Sequence, residues 1–475
     1  MPGAAVGASQ GSESSARSTV AVAVVAFFVV TLDAVVVNVA LPSVRQDLGG
    51  GVRGLQWVVD GYTLVFAALL LSAGALSDRM GACRAIGVGT ALFVVTSAGC
   101  GLAPTLSLLV VFRLLQGAAA AAMMPASLAL VRQAHEDPVR RARAVAVWAM
   151  GGAVASSSGP VVGGALSLVD WRLVFLVNVP VGVVCLVLLR RAERSPRRTT
   201  PFDPAGQVTA VLAMGGLTYG AIESGAVGLL APEVLGAFTV ASVASICFVV
   251  SQARGRHPMV PPSLVAARGV PIAMLIGFAF MVGFYGVPFL YSLYFQELRG
   301  LSSLGAGLAF VPMMAVGLVL TPLSARIVER TGPRLPITGG LALMTAGLVA
   351  LSTLPHDVPI GVPSVLMVLV GLGGPLVMPP TIAVLLSAVP GDLAGTASGV
   401  LNTSRQVGGA LAIAVFGSLV AGPGGLEDGL RWSLLLGSAV LLVATVASLR
   451  VASSRGSERR RWVVSRASAD DRPPW

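Results

Sequence analysis

The chain has 475 residues, of which 55% are hydrophobic and only 11% charged, against roughly a quarter charged in soluble domains. That composition excludes an ordinary soluble fold and points to a polytopic membrane protein. The net charge of +11 comes from 32 basic residues, all arginine, against 21 acids; membrane proteins gather such cations in cytoplasmic loops, so no nucleic-acid partner is expected.

The first eighteen residues are small and polar with a single cation, Arg17. The apolar run after them is too long for a cleavable signal and carries an acid, so it is expected to stay attached. In chain order, apolar spans fall near 19–41, 54–75, 83–103, 107–131, 142–166, 172–190, 205–224, 233–252, 270–292, 304–326, 335–354, 359–386, 396–421 and 432–451. These are fourteen spans, and about twenty residues at 1.5 Å rise cross the hydrocarbon core. Arg17, Arg79, Arg84, Arg132, Arg140, Arg141, Arg143, Arg190, Arg191, Arg194, Arg197, Arg198, Arg254, Arg256, Arg268, Arg326, Arg330, Arg334 and the tail arginines fall on one side; Arg45, Arg53, Arg172, Arg299 and Arg431 fall on the other. By the positive-inside rule both termini are cytoplasmic, as an even number of spans requires.

The second span ends in a tight charged loop, Gly74 to Arg84, and Glu329-Arg330-Thr331-Gly332 repeats its acid-Arg-x-Gly order after a later apolar run. This echo implies two related bundles. An acid in a spanning helix costs about 2.5–3.5 kcal/mol when central, which makes Asp33 and Asp60 functional candidates. The alternatives are a structural acid paired with arginine for Asp33 and an interfacial acid for Asp60. Counting 1.5 Å per residue from the outer ends puts Asp33 about 12 Å deep, Asp60 about 8 Å and Arg113 about 9 Å. Two carboxylates and one guanidinium are therefore expected to share a layer, with Arg113 taking Asp33 or Asp60 as its partner. Gln116 and Gly117 follow Arg113 by three and four positions, on its helix face, and Gly117 admits a neighbouring helix. Glu223, near the outer end of the seventh span, reads as an interfacial acid. Cys83, Cys100, Cys185 and Cys247 lack metal-ligand spacing and read as core packing. His135, His257 and His356 fall in loops, and HExxH, GxSxG and phosphate-loop patterns are missing, so neither an enzyme nor a cofactor or metal is expected.

Gly74, Leu76, Asp78, Arg79 and Gly81 resemble the loop motif between the second and third helices of the major facilitator superfamily, with Ala82-Cys83 where a basic pair is usual. Leu32-Asp33-Ala34-Val35-Val36-Val37-Asn38-Val39-Ala40-Leu41-Pro42 resembles the first-helix signature of its fourteen-helix exporters, with Ala34 in place of a common threonine. Trp57 to Tyr62 is similar to their second-helix pattern, and Arg113 to Ala121 to the fourth-helix motif whose arginine is assigned to proton coupling. Gly159-Pro160-Val161-Val162-Gly163-Gly164 resembles the fifth-helix antiporter motif, with Ala155 upstream where a glycine is common. Trp171-Arg172, Phe175, Asn178 and Pro180 match the entry to helix six. Tyr294-Phe295-Gln296, Gly307 to Pro312, and Asn402 to Ala410 resemble the second bundle.

The resemblance implies an all-α major facilitator fold, two six-helix bundles plus two extra helices, of the drug:proton antiporter family. It divides the chain into an N-terminal tail (1–18), a first bundle (19–190), a cytoplasmic connection with two extra helices (191–253), a second bundle (254–451) and a C-terminal tail (452–475). Phe202-Asp203-Pro204 opens the seventh helix, with Asp203 placed as its N-cap. The implied roles are proton coupling for Asp33, Asp60 and Arg113; substrate binding for Asp33, Asn38, Gln116, Tyr294, Gln296, Asn402 and Arg405; and conformational motifs at Gly74, Asp78, Arg79, Gly81, Gly159, Pro160, Gly163 and Gly164. Arg405 has no nearby acid in sequence, and packing against the cytoplasmic interface is its alternative role. The expected function is export of a lipophilic drug or antibiotic in exchange for protons by a monomer in the bacterial cytoplasmic membrane. A symporter or uniporter on the same fold, and more remotely a non-transporting sensor, are the alternatives.

Overall fold

The computed structural model describes residues 3–134, 137–192, 195, 203–267, 269–355, 357–390 and 393–451. His135, Arg194, Arg197, Arg198, Phe202, Arg268, His356 and the tail from 452 onward lie outside the described residues. The described residues are helical throughout, in the order α1 (Gly3–Leu48), α2 (Gly51–Met80), α3 (Ala82–Gly101), α4 (Leu106–Gln133), α5 (Pro138–Val169), α6 (Leu173–Leu176), α7 (Asn178–Leu189), α8 (Pro204–Val227) and α9 (Pro232–Arg254). They continue with α10 (Pro262–Ala266), α11 (Val270–Leu293), α12 (Ser303–Ala309), α13 (Val311–Thr331), α14 (Arg334–Ser352), α15 (Gly361–Gly371), α16 (Gly373–Ser387), α17 (Ala394–Ala421) and α18 (Gly425–Ser448). A π-helical turn, Tyr294–Leu298, prolongs α11. Among the described residues 11 helices are long and apolar enough to cross a membrane, or up to 13 if each of two bent pairs is one span, and Leu173–Leu189 is a shorter apolar stretch. These elements are consistent with the fourteen spans expected.

Local chemistry sets the boundaries. Asp203 caps α8 as expected, its carboxylate accepting from the Gly206 amide at 2.8 Å, and Asp137 does the same for α5 through Arg140 at 2.9 Å, with Pro138 at the first helical position. Gly81 joins α2 to α3 at φ +87, a backbone region that a side chain rarely tolerates. The charged turn can therefore reverse in one residue, leaving Asp78 and Arg79 exposed.

Two buried clusters hold the helices. One gathers Val22, Tyr62, Phe93, Met123 and Cys185 from the first part of the chain. The larger runs from Val36, Leu41 and Leu55 into Phe280, Phe289, Phe310 and Phe416, so the end of the molecule at Leu48 is where the two halves of the chain share a core. Leu212, Val243, Ile246 and Val249 on α8 and α9 are exposed, an apolar surface that only lipid or protein would cover.

α8 is fastened to α2 at two points. Gln207 Nε2 donates to the Ala68 carbonyl at 2.9 Å, and Arg53 Nε donates to Glu223 Oε1 at 2.9 Å, with Nη2 at 2.8 Å from Oε2. Glu223, near the end of α8, is thus buried by helix packing and ion-paired to the half-exposed Arg53 at the start of α2, which supplies the charge that such burial demands.

Gly117 lets α4 lie directly on α2. A Cβ there would meet Tyr62 C at 3.1 Å and Phe66 N at 3.2 Å, both backbone atoms that have no rotamer to escape into. Gly117→Val is expected to lower stability by about 1–3 kcal/mol through overpacking, seen as a fall in the unfolding temperature of the detergent-solubilised protein. Gly74→Ala, at a site with nothing within 4 Å, is expected to leave that temperature unchanged.

Candidate functional site

Burying a guanidinium in an apolar bundle is tolerable only if its charge is met and its N–H groups are bonded. Arg113 on α4 is fully buried; its charge is met by Asp33, and its Nη1 and Nε are bonded while Nη2 is not. Nη1 donates to Asp33 Oδ2 at 2.5 Å and to Gln116 Oε1 at 2.8 Å, and Nε donates to the Val58 carbonyl at 2.8 Å. The Tyr62 ring covers its face, 4.3 Å from the guanidinium carbon, a cation–π contact strengthened by desolvation. Asp33 on α1 is equally buried; its other oxygen accepts from Asn178 Nδ2 at 2.7 Å and Gln116 Nε2 at 3.0 Å. Gln116 also donates to Ser97 Oγ at 2.7 Å. One ion pair thus draws α1, α2, α3, α4 and α7 onto a single point.

The layer expected from depth alone divides in two. Arg113 takes Asp33, whereas Asp60 on α2 is fully buried with neither carboxylate oxygen hydrogen-bonded. Residues 58 and 60 lie about 200° apart around a helix at 3.6 residues per turn, so the turn that offers the Val58 carbonyl to Arg113 turns Asp60 away. The structure also adds Asn178, Ser97 and Tyr62 to the cluster. Asn178 carried a signal, as a lone amide in the apolar stretch 173–189; Ser97 and Tyr62 carried none that separates them from ordinary packing residues.

The other candidate residues lie elsewhere. Asn38 turns its amide back to the Ala34 and Val35 carbonyls, and its own carbonyl accepts from Ser292 Oγ at 2.6 Å. Gln296 donates to the Val39 carbonyl at 3.0 Å; the Tyr294 hydroxyl accepts from Arg299 at 2.9 Å. Asn38 and Gln296 belong to a joint between α1 and the α11 end, which Arg45 and Glu297 close with a 3.0 Å ion pair, whereas Arg299, bonded to Tyr294, reaches the Val358 carbonyl at 2.7 Å. Gln56 extends the joint, donating to the Ala414 carbonyl on α17 at 2.6 Å. The glycine-rich stretch of α5 contributes as well: a Cβ at Gly163 would meet the Val36 carbonyl oxygen at 2.6 Å, one at Gly164 the Ser303 carbonyl oxygen at 2.6 Å, and one at Gly307 the Pro160 carbonyl carbon at 2.9 Å. Asn402 and Arg405 pair with each other on α17, Nη1 to Oδ1 at 3.0 Å. Gly74, Asp78, Arg79 and Gly81 sit at the opposite end of α2. Among the described residues no group of three or more His, Cys, Asp or Glu could hold a metal ion.

A buried charge cluster in one half of a long helical bundle, and a joint between the halves at one end, set the frame for comparison. The model of the Major Facilitator Superfamily matches residues 23–413. Among curated proteins, the chain is 36% identical over 410 residues to the tetracenomycin C resistance and export protein of Streptomyces glaucescens, covering 84% of this chain and 74% of the relative. It is 33% identical over 453 residues to the methylenomycin A resistance protein of Bacillus subtilis, covering 94% and 97%, and 37% identical over 427 residues to the cephamycin export protein CmcT of Amycolatopsis lactamdurans, covering 86% and 87%. Among solved structures, a D-xylose–proton symporter superposes with a TM-score of 0.65 at 15% identity over 91% of this chain and 97% of that one. A bacterial homologue of the human lysosomal transporter Spinster, in an inward-facing, unoccupied conformation, does so with 0.65 at 17% over 92% and 97%. Fold, family model and relatives agree, and the chain belongs to the Major Facilitator Superfamily of membrane transporters.

Proposed function

We propose that the chain is a proton-coupled antiporter that exports lipophilic compounds, drugs or antibiotics among them, across the bacterial cytoplasmic membrane by alternating access. The observation that carries this reading is the Asp33–Arg113 pair, an acid held at zero exposure by one cation and two neutral donors. A proton arriving on Asp33 cancels the charge that Arg113 was paired with, so protonation and the packing of five helices are energetically linked. Asp60, buried without a partner, is the second proton carrier. The relatives named as resistance and export proteins support the direction of transport and the kind of cargo.

In this reading residues 19–190 and 254–451 are the two moving bundles, 191–253 supplies a connection and two extra helices, and both termini are cytoplasmic. The joint at the Leu48 end is then the closed outer gate, and the chain stands with its cytoplasmic side as the side of entry. Asp33 takes a proton from outside as substrate leaves and releases it inside when substrate rebinds. A proton crossing about 100 mV gains roughly 2.3 kcal/mol and one pH unit adds about 1.4, enough to hold a neutral substrate at a gradient of a few hundredfold.

In vesicles with an imposed pH gradient, substrate-dependent proton movement is expected for the native protein and a near-complete loss of it for Asp33→Asn, read by an internal pH dye together with efflux of lipophilic probes. Substrate moving in the same direction as the proton, or equal rates in both proteins, would refute antiport. At the outer gate, Arg45→Glu is expected to favour the outward-open form by up to about fivefold, the scale of one partly exposed ion pair, read as faster labelling of a cysteine placed at Ser303. The reversed pair, Arg45→Glu with Glu297→Arg, is expected to restore native labelling.

A further inference from the structure

The two arginines embedded in the bundle each keep one buried, unbonded guanidinium nitrogen and differ in their counter-ion. Arg113 has an acid, an amide, a carbonyl and an aromatic face. Arg405, twelfth residue of the 28-residue α17 and so near the middle of its span, has only the Asn402 amide oxygen at 3.0 Å. Its Nε is buried and unbonded. Among the described residues no acid pairs with it, and α11, α12, α14, α15, α16 and α17 contain no Asp or Glu at all. The acid of α2 that could approach α17, Asp60, is bonded to nothing.

The position of Arg405 is nevertheless fixed. Its stem crosses α11 at Gly277, where a Cβ would meet its Cγ at 3.0 Å. One turn further along α17, Gly409 gives the Tyr285 ring its place, with Cδ2 at 2.6 Å from a built Cβ. Phe284, 6.4 Å from Tyr285 between ring centroids, and Phe280, stacked on Phe284 at 5.2 Å, continue the aromatic surface. A held guanidinium without a counter-ion, beside aromatic rings, is a receptor for an anion with an apolar body. A neutral acceptor would satisfy its N–H groups and leave the charge unmet.

We infer that Arg405 binds the acidic group of the transported compound, so that the cargo of this transporter is a lipophilic organic acid carried as its anion, with the ring of Tyr285 against its body. The inference rests on the export reading given above and narrows it. Cationic compounds, by the same geometry, are repelled from this half of the molecule.

The test uses matched probes that differ in charge alone: naphthalene, anthracene and tetracene carboxylates against their primary amides, with binding to the purified protein measured by equilibrium dialysis at pH 7.5. Native protein is expected to prefer the carboxylates by about tenfold or more, the scale of a charge-assisted hydrogen bond. Arg405→Gln is expected to lose that preference while binding the amides as before, and Arg405→Lys to keep most of it. A purely structural role, such as a counter-ion for Asp60 in another conformation, would lower the unfolding temperature of Arg405→Gln and leave the carboxylate preference intact. No preference in the native protein, or the same preference in Arg405→Gln, would overturn the inference. If uncharged probes are exported against protons without any preference for acids, only this inference falls; if no probe is bound or transported, the export reading falls with it.

Discussion

A guanidinium in hydrocarbon must be neutralised and hydrogen-bonded, and much of the first half of this chain is arranged to do that for Arg113. The requirement selects Asp33 on α1 as counter-ion, brings the Val58 carbonyl of α2 against Nε, and recruits Gln116 and Asn178 to fill the remaining lone pairs of the carboxylate. Each partner stands on a different helix, so the bundle cannot rearrange around this point without disturbing the pair. In the proposed cycle a single proton added or removed at Asp33 would act on the packing of five helices at once.

The second constraint is the close joint between the two halves of the chain, which the proposed alternating access would have to open. Side chains at the joint are few and specific: Gln56 and Gln296 reach across to backbone carbonyls, and Arg45 meets Glu297 at the rim. Between them, glycines at 163, 164 and 307 bring backbone against backbone, a contact made of dispersion and fixed dipoles with no long side chains to disentangle. The extra helix α8 is tied to α2 by Arg53–Glu223 and Gln207–Ala68, so it travels with the helix that also packs against α17.

Much of this was readable from the chain, and the gaps have physical causes. The spans followed from hydropathy, and Asp203 as a cap from its place before Pro204 in an otherwise apolar run. That Arg113 needs a carboxylate followed from the cost of a lone charge, which left the choice between Asp33 and Asp60 open. Depth counting placed Asp60 in the same layer, because rise along a helix gives height and says nothing of which neighbour a side chain faces. The partner of Glu223 was not readable, because Arg53 lies 170 residues away. Asn38 and Gln296 stood out as polar residues in apolar surroundings; folding uses them to close one end, a role that residue type alone does not separate from ligand binding.

The central claim is that Asp33, held by Arg113, carries the exchanged proton. Infrared difference spectra of the purified protein between acid and neutral pH address it directly, since a protonated carboxyl group has its own carbonyl band. The account predicts that one component of the carbonyl band appearing at acid pH in the native protein persists in Asp60→Asn and is missing from Asp33→Asn. A band unchanged in Asp33→Asn and lost in Asp60→Asn would contradict it, and would move the proton to the unpaired acid on α2.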